Sequence, residues 1–124
     1  MCGFVGYVGK LNKNLEASAS QILHRGPDKS SFITEDDFSV AFNRLSIIDL
    51  TETGMQPYKY KNIIAYLNGE IYNYLELQKK FKNEFKPKGR SDGEILPFLY
   101  EKFGMSFLNM LNGMFSIVIF DKNK

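Results

Sequence analysis

The run Gly3-Phe4-Val5-Gly6-Tyr7-Val8 is apolar on both faces when drawn out as a strand. Side chains along a strand point alternately to opposite sides, so a run of this kind asks for cover above and below. Met114 to Phe120 makes the same demand near the other end of the sequence. A chain of 124 residues is long enough to meet it with one domain and a real core. Hydrophobic content of 44% and aromatic content of 15% argue against disorder.

Between those runs the pattern alternates. Leu15, Ala19, Ile22 and Leu23 recur at helical spacing, and Gly26-Pro27 ends that helix just after His24-Arg25. Residues 31–34 and 38–43 are β-prone runs about Glu35-Asp36-Asp37, the signature of a hairpin. Arg44 to Asp49 leads into a loop that ends near Pro57. Ile63 to Leu67 reads as a strand stopped by Asn68-Gly69. Asn73 with Glu76 and Ser91 with Glu94 have capping-box spacing. The first box precedes Leu77, Phe81 and Phe85 on one face; the second precedes Ile95, Leu99 and Phe103. Pro97 requires that the second helix start later than Ser91 or be kinked. Leu108 and Leu111 extend a short helical piece to Gly113.

The candidate chemistry begins at Cys2, the only cysteine. Removal of Met1 would give this residue a nucleophilic thiol and a free α-amine, whose unperturbed pKa of roughly 7.7–8.0 leaves part of it neutral near pH 7. Pairing a nucleophile with its own terminal amine is a known route to activation. A lone cysteine excludes an internal disulfide and fits a reducing compartment. No apolar run approaches membrane-spanning length, and the first residues lack the pattern of a signal peptide, so a cytoplasmic protein is expected. The net charge of +2 makes no case for nucleic acid. No His/Cys cluster has metal-ligand spacing, and the single histidine, His24, is not needed as a base beside an N-terminal cysteine.

Five motifs occur in one order: Met1-Cys2-Gly3, His24-Arg25-Gly26-Pro27-Asp28, Arg44-Leu45-Ser46-Ile47-Ile48-Asp49, Asn68-Gly69-Glu70-Ile71-Tyr72-Asn73 and Ser91-Asp92-Gly93-Glu94. In this the chain resembles the glutaminase domain of class II (N-terminal nucleophile) glutamine amidotransferases, and most of all the branch of glutamine-hydrolysing asparagine synthetases. The resemblance spans residues 2 to about 120. It implies an α+β fold, the four-layer αββα sandwich of N-terminal-nucleophile enzymes, and makes residues 1–124 a partial glutaminase domain. It also implies the chemistry. Cys2 would attack the side-chain amide of glutamine with its α-amine as base, and Asn68 and the Gly69 N–H would form the oxyanion hole. Arg44 would hold the α-carboxylate of glutamine, a role that suits the planar guanidinium. Asp92, with Glu70 as helper, would hold the α-ammonium. Arg25 and Asp28 would shape the loop beside the thiol.

The same resemblance marks departures. Family members carry further strands after the one ending at Phe120, and a synthetase domain that uses ATP and Mg; neither is expected here, so no cofactor is assigned to this chain. The sequence reads as truncated at its C-terminus. Its expected partners are glutamine, a synthetase domain or subunit that consumes the ammonia, and further copies associating through the unfinished sheet. Two readings stand side by side: the ammonia-generating half of an asparagine-synthetase-like enzyme, or a non-catalytic module that binds glutamine or a synthetase partner without turnover. The ammonia acceptor is not legible.

Overall fold

The structure, a computed structural model, describes residues 2–10 and 14–124. Met1, whose removal the sequence reading requires, lies outside them. The chain forms two compact units, residues 1–47 and 48–124.

In the first unit a three-stranded antiparallel sheet has the order β1-β3-β2, with β1 at Gly3–Val8, β2 at Lys29–Thr34 and β3 at Phe38–Arg44. The hairpin between β2 and β3 is the expected one, closed by Glu35 N–H donating to the Phe38 carbonyl at 2.8 Å. The strand buried throughout is β3, not β1: its seven residues are all buried, whereas Val8 is 90% exposed. The central position explains this, because β3 is flanked on both sides while β1 is an edge strand. Helix α1, Leu15–Gln21, starts at Asn14, whose side chain accepts from the Ala17 N–H at 3.1 Å. It ends earlier than its apolar spacing suggests, and a 3₁₀ turn at Leu23–Arg25 carries the chain to Gly26. A buried polar residue, Asn43, joins these pieces. Its amide donates to the Ala19 carbonyl at 2.8 Å and its Oδ1 accepts from the Ser30 hydroxyl at 2.7 Å.

In the second unit β4 (Tyr58–Tyr60), β5 (Ile63–Ile71) and β6 (Gly113–Asp121) form an antiparallel sheet in that order. Helices α2 (Tyr74–Lys80) and α3 (Leu96–Phe103) supply its core with Leu77, Phe81, Leu96, Phe98 and Leu99. Phe98 sits among aromatic rings, 5.3 Å from Phe85, 5.4 Å from Tyr60 and 5.5 Å from Phe81.

Three expectations change here, and a fourth is decided between its two alternatives. The strand through Ile63 does not stop at Asn68-Gly69 but runs on to Ile71, with Asn68 opposite Ser116 and Gly69 opposite Phe115 in β6. Gly69 takes a φ of +147°, and a Cβ there would lie 2.1 Å from the Met114 carbonyl oxygen, so only glycine fits. Second, β6 is not a buried strand: Met114 and Phe115 are exposed, because it forms the edge of the sheet. Third, neither capping box closes. Asn73 donates instead to the Met110 carbonyl and accepts from the Asn112 N–H, both at 2.9 Å, tying α2 to the turn before β6. Glu94 accepts from the Lys88 and Gly89 N–H groups rather than bracing Ser91. Fourth, the helix after Ser91 starts late, as one reading of Pro97 required: residues 92–95 are 3₁₀ and Pro97 lies in the first turn of α3.

Candidate functional site

Four of the residues singled out from the sequence lie in the first unit. Cys2 directly precedes β1 and lies beside the end of β3. The Leu45 N–H donates to Cys2 Sγ at 3.3 Å, and the thiol faces the Leu45 carbonyl oxygen at 3.5 Å. One peptide residue thus holds the sulfur from two sides. Arg44, immediately before it, is buried. Asp28 brackets the same segment: its N–H donates to the Arg44 carbonyl at 3.0 Å and its Oδ2 accepts from the Ser46 N–H at 2.7 Å. Arg25 runs its stem beside Gly3, where a Cβ would meet Arg25 Cβ at 3.2 Å. Gly26 permits a close approach, since a Cβ there would stand 2.2 Å from the Asn43 carbonyl oxygen. The structure therefore gathers Cys2, Arg25, Asp28 and Arg44 about the end of β3, and leaves His24 exposed on the 3₁₀ turn.

The other four lie in the second unit, on and beside β5. Along a strand the hydrogen-bonding groups of alternate residues face alternate edges. Ile63 and Ala65 face β4, which ends there by pairing Ala65 with Tyr58. The next residue facing that edge is Leu67, and among the described residues no strand meets it. The buried side chain of Gln56 does so instead: Oε1 accepts from the Leu67 N–H at 2.7 Å and Nε2 donates to the Leu67 carbonyl at 2.9 Å. Two positions further in the alternation, the Ile71 N–H donates to Asp92 Oδ2 at 2.7 Å. Gly69 falls between these two contacts on the same edge. Next to it, the buried Asn68 Oδ1 has no hydrogen-bond partner among the described residues.

Asp92 is buried, and its second oxygen accepts from the Gly93 N–H at 3.0 Å. Burial pushes its carboxyl above the ordinary aspartate range, and the charge of Glu70 adds to the rise; the N–H groups of Ile71, Gly93 and Asp92 itself oppose it. A carboxylate has about four lone-pair sites, so these backbone bonds leave room for a ligand.

Sequence reasoning assigned no role to three residues that hold this scaffold. Leu45 acts through its peptide and Gln56 through an amide that imitates one, so neither carries a residue-type signature. Asp49 is a hub. It accepts from the Thr51 N–H and hydroxyl at 2.9 and 2.6 Å, the Thr53 hydroxyl at 3.0 Å and the Arg90 N–H at 2.9 Å. Led by the Arg90 N–H and the Thr51 hydroxyl, these donors hold its carboxyl well below the usual carboxylate range. An open cleft of about 670 Å³ beside it is bounded by Ile48, Thr51, Lys88 and Arg90 and by none of the expected glutamine-binding residues.

Among the described residues no three or more His, Cys, Asp or Glu side chains gather as a metal site, and no helix is long and apolar enough to cross a membrane. The chain matches the model of a glutamine amidotransferase domain over residues 1–124. It is 39% identical to a glutamine-hydrolyzing asparagine synthetase 2 of Bacillus subtilis (strain 168), over all of this chain and 18% of that protein. It is 41% identical to a glutamine-hydrolyzing asparagine synthetase of Zea mays, over 98% of this chain and 22% of that protein. Amidase chry2 of Gibberella zeae is 40% identical over 90% of this chain and 17% of that protein. The chain spans about a fifth of the length of these curated relatives. By the match over its whole length, it belongs to the glutamine amidotransferase domain family.

Proposed function

We propose that the chain is the glutamine-hydrolysing part of an asparagine-synthetase-like amidotransferase, a glutaminase domain of the N-terminal-nucleophile αββα type. Met1 is removed, and the Cys2 α-amine takes the thiol proton as sulfur attacks the side-chain amide carbon of glutamine. The amine then protonates the departing ammonia. Water hydrolyses the glutamyl thioester, which releases glutamate and restores the thiol. Asn68 and the Gly69 N–H stabilise the oxyanion, Arg44 holds the α-carboxylate, and Asp92 with Glu70 holds the α-ammonium. Arg25 and Asp28 shape the loop beside the thiol, Asp28 by bonding the backbone on either side of Leu45. The ammonia passes to a synthetase partner, where any ATP and Mg chemistry resides; this domain needs no cofactor. The observation that carries the reading is the stretch of β5 where Gly69 faces an edge that β4 does not reach, in a chain of this family.

A diazo-ketone analogue of glutamine tests it. Intact-mass spectrometry should show loss of Met1 and one label on Cys2, with excess glutamine protecting and Cys2→Ala abolishing the label. Failure of Cys2 to label in protein that has lost Met1 would overturn the enzymatic reading and leave a module that binds without turnover.

A further inference from the structure

Strand β4 covers β5 only as far as Ala65, yet the site expected for the oxyanion lies beyond that point, at Asn68 and Gly69. Something other than a strand has to hold the backbone there. Gln56 lies two residues before Tyr58, in the register position that would face Leu67 if β4 continued. The ladder ends at Tyr58, and the chain holds Leu67 with a side chain instead. Both ends of the Gln56 amide engage the Leu67 peptide groups, in the donor–acceptor pattern a neighbouring strand would have supplied. The Leu67 carbonyl belongs to the same peptide plane as the Asn68 N–H, so this bond sets the plane from which Asn68 and then Gly69 follow.

We propose that Gln56 is a positioning residue for the oxyanion hole: its amide replaces the missing strand and fixes the Leu67–Asn68 peptide, so that the Asn68 side chain and the Gly69 N–H converge on one point. The proposal rests on the glutaminase reading above. Gln56 touches no reacting atom; it acts on the rate through Asn68 and Gly69, with little effect on ground-state binding of glutamine.

Glutamine hydrolysis per labelable Cys2 tests this, because normalising to labelled sites removes any unfolded fraction. Gln56→Ala should lower kcat by about 10- to 100-fold, short of the loss from deleting a donor outright, with KM changed by less than about threefold. Gln56→Glu gives a second, isosteric reading. A protonated carboxyl can donate to the Leu67 carbonyl and accept from its N–H, whereas a carboxylate can only accept. Its kcat relative to wild type should therefore climb as pH is lowered across about pH 9 to 6, since burial raises a carboxyl pKa into that range. A Gln56→Ala protein with wild-type kcat, a loss confined to KM, or a Glu variant whose deficit is the same at every pH would each overturn the proposal. Wild-type protein that releases no ammonia would instead overturn the glutaminase reading.

Discussion

The two units hold their candidate site residues by opposite means. In the first, backbone holds the reacting side chain: the Leu45 peptide groups grip the Cys2 sulfur, while the Asp28 N–H and carboxylate tie down the peptides on either side of Leu45. In the second, side chains hold backbone: Gln56 clamps Leu67, Asp92 clamps Ile71, and Asp49 clamps Arg90. The difference follows from what each unit presents. A thiol needs orienting groups around one atom, and a peptide supplies a donor and an acceptor without any particular side chain. An oxyanion hole needs a peptide N–H left open, so strand pairing must stop there and side chains must take over its neighbours. Substitutions should therefore act strongly in the second unit at Gln56, which touches no reacting atom, and weakly in the first at Leu45, whose peptide groups and not its side chain meet the thiol.

The largest effect sharpens the contrast. Asn68→Ala should lower kcat for glutamine by roughly 10²–10³ with KM nearly unchanged, the cost of one oxyanion donor. Arg44→Ala should instead raise KM, because a carboxylate contact serves ground and transition states alike. Equal effects of both on KM alone would reduce Asn68 to a strand residue. Next comes Asp49. Its carboxyl is depressed well below the unfolded value of about 3.9, so its stabilising contribution is complete above that pH and is lost progressively as pH falls from there through the lower folded-state value. Asp49→Asn should be less stable than wild type in urea at neutral pH, and the gap should begin to narrow below about pH 5 and shrink steadily as the pH is lowered further. A gap that persists into acid would mean that Asp49 does not clamp the backbone as a charged acceptor. The smallest effect is expected at Leu45. Leu45→Ala keeps both peptide groups and should leave kcat within about threefold. A large loss would show that its side chain, not its backbone, holds the thiol.

Much of the second unit could be read from its apolar spacing: Leu77, Phe81 and Phe85, or Ile95 and Leu99, mark core faces wherever their helices begin. The errors arose where a residue has both a local use and a distant one. Asn68-Gly69 is a turn pair by local rules, but β6 supplies a partner for each residue and the strand continues. Asn73 and Glu94 have capping spacing, yet the turn before β6 and the segment at Lys88 offer them better-placed groups. Runs such as Gly3–Val8 and Gly113–Asp121 announce strands correctly but say nothing of which strand is central, because sheet order is set by partners remote in sequence. Within each unit the structure gathers the candidate residues that the ordered motifs single out. The supports at Leu45 and Gln56 could not be seen, since a peptide group has no letter of its own and glutamine has many uses.

Burial along the whole of β3 has a further consequence. A strand with one wet face is locked in place because a slip by one residue would turn its apolar set outward. Phe38–Arg44 is buried on both faces and has no such penalty, so hydrophobicity alone would let it slide against its neighbours. Asn43 removes that freedom. Displaced by one residue or by two, its amide would leave both Ala19 and Ser30 and be stranded in a dry interior, at a cost of about 1–3 kcal/mol. A single buried amide thus acts as the index mark of the first sheet, and the spot where Leu45 meets the sulfur of Cys2 is measured from it.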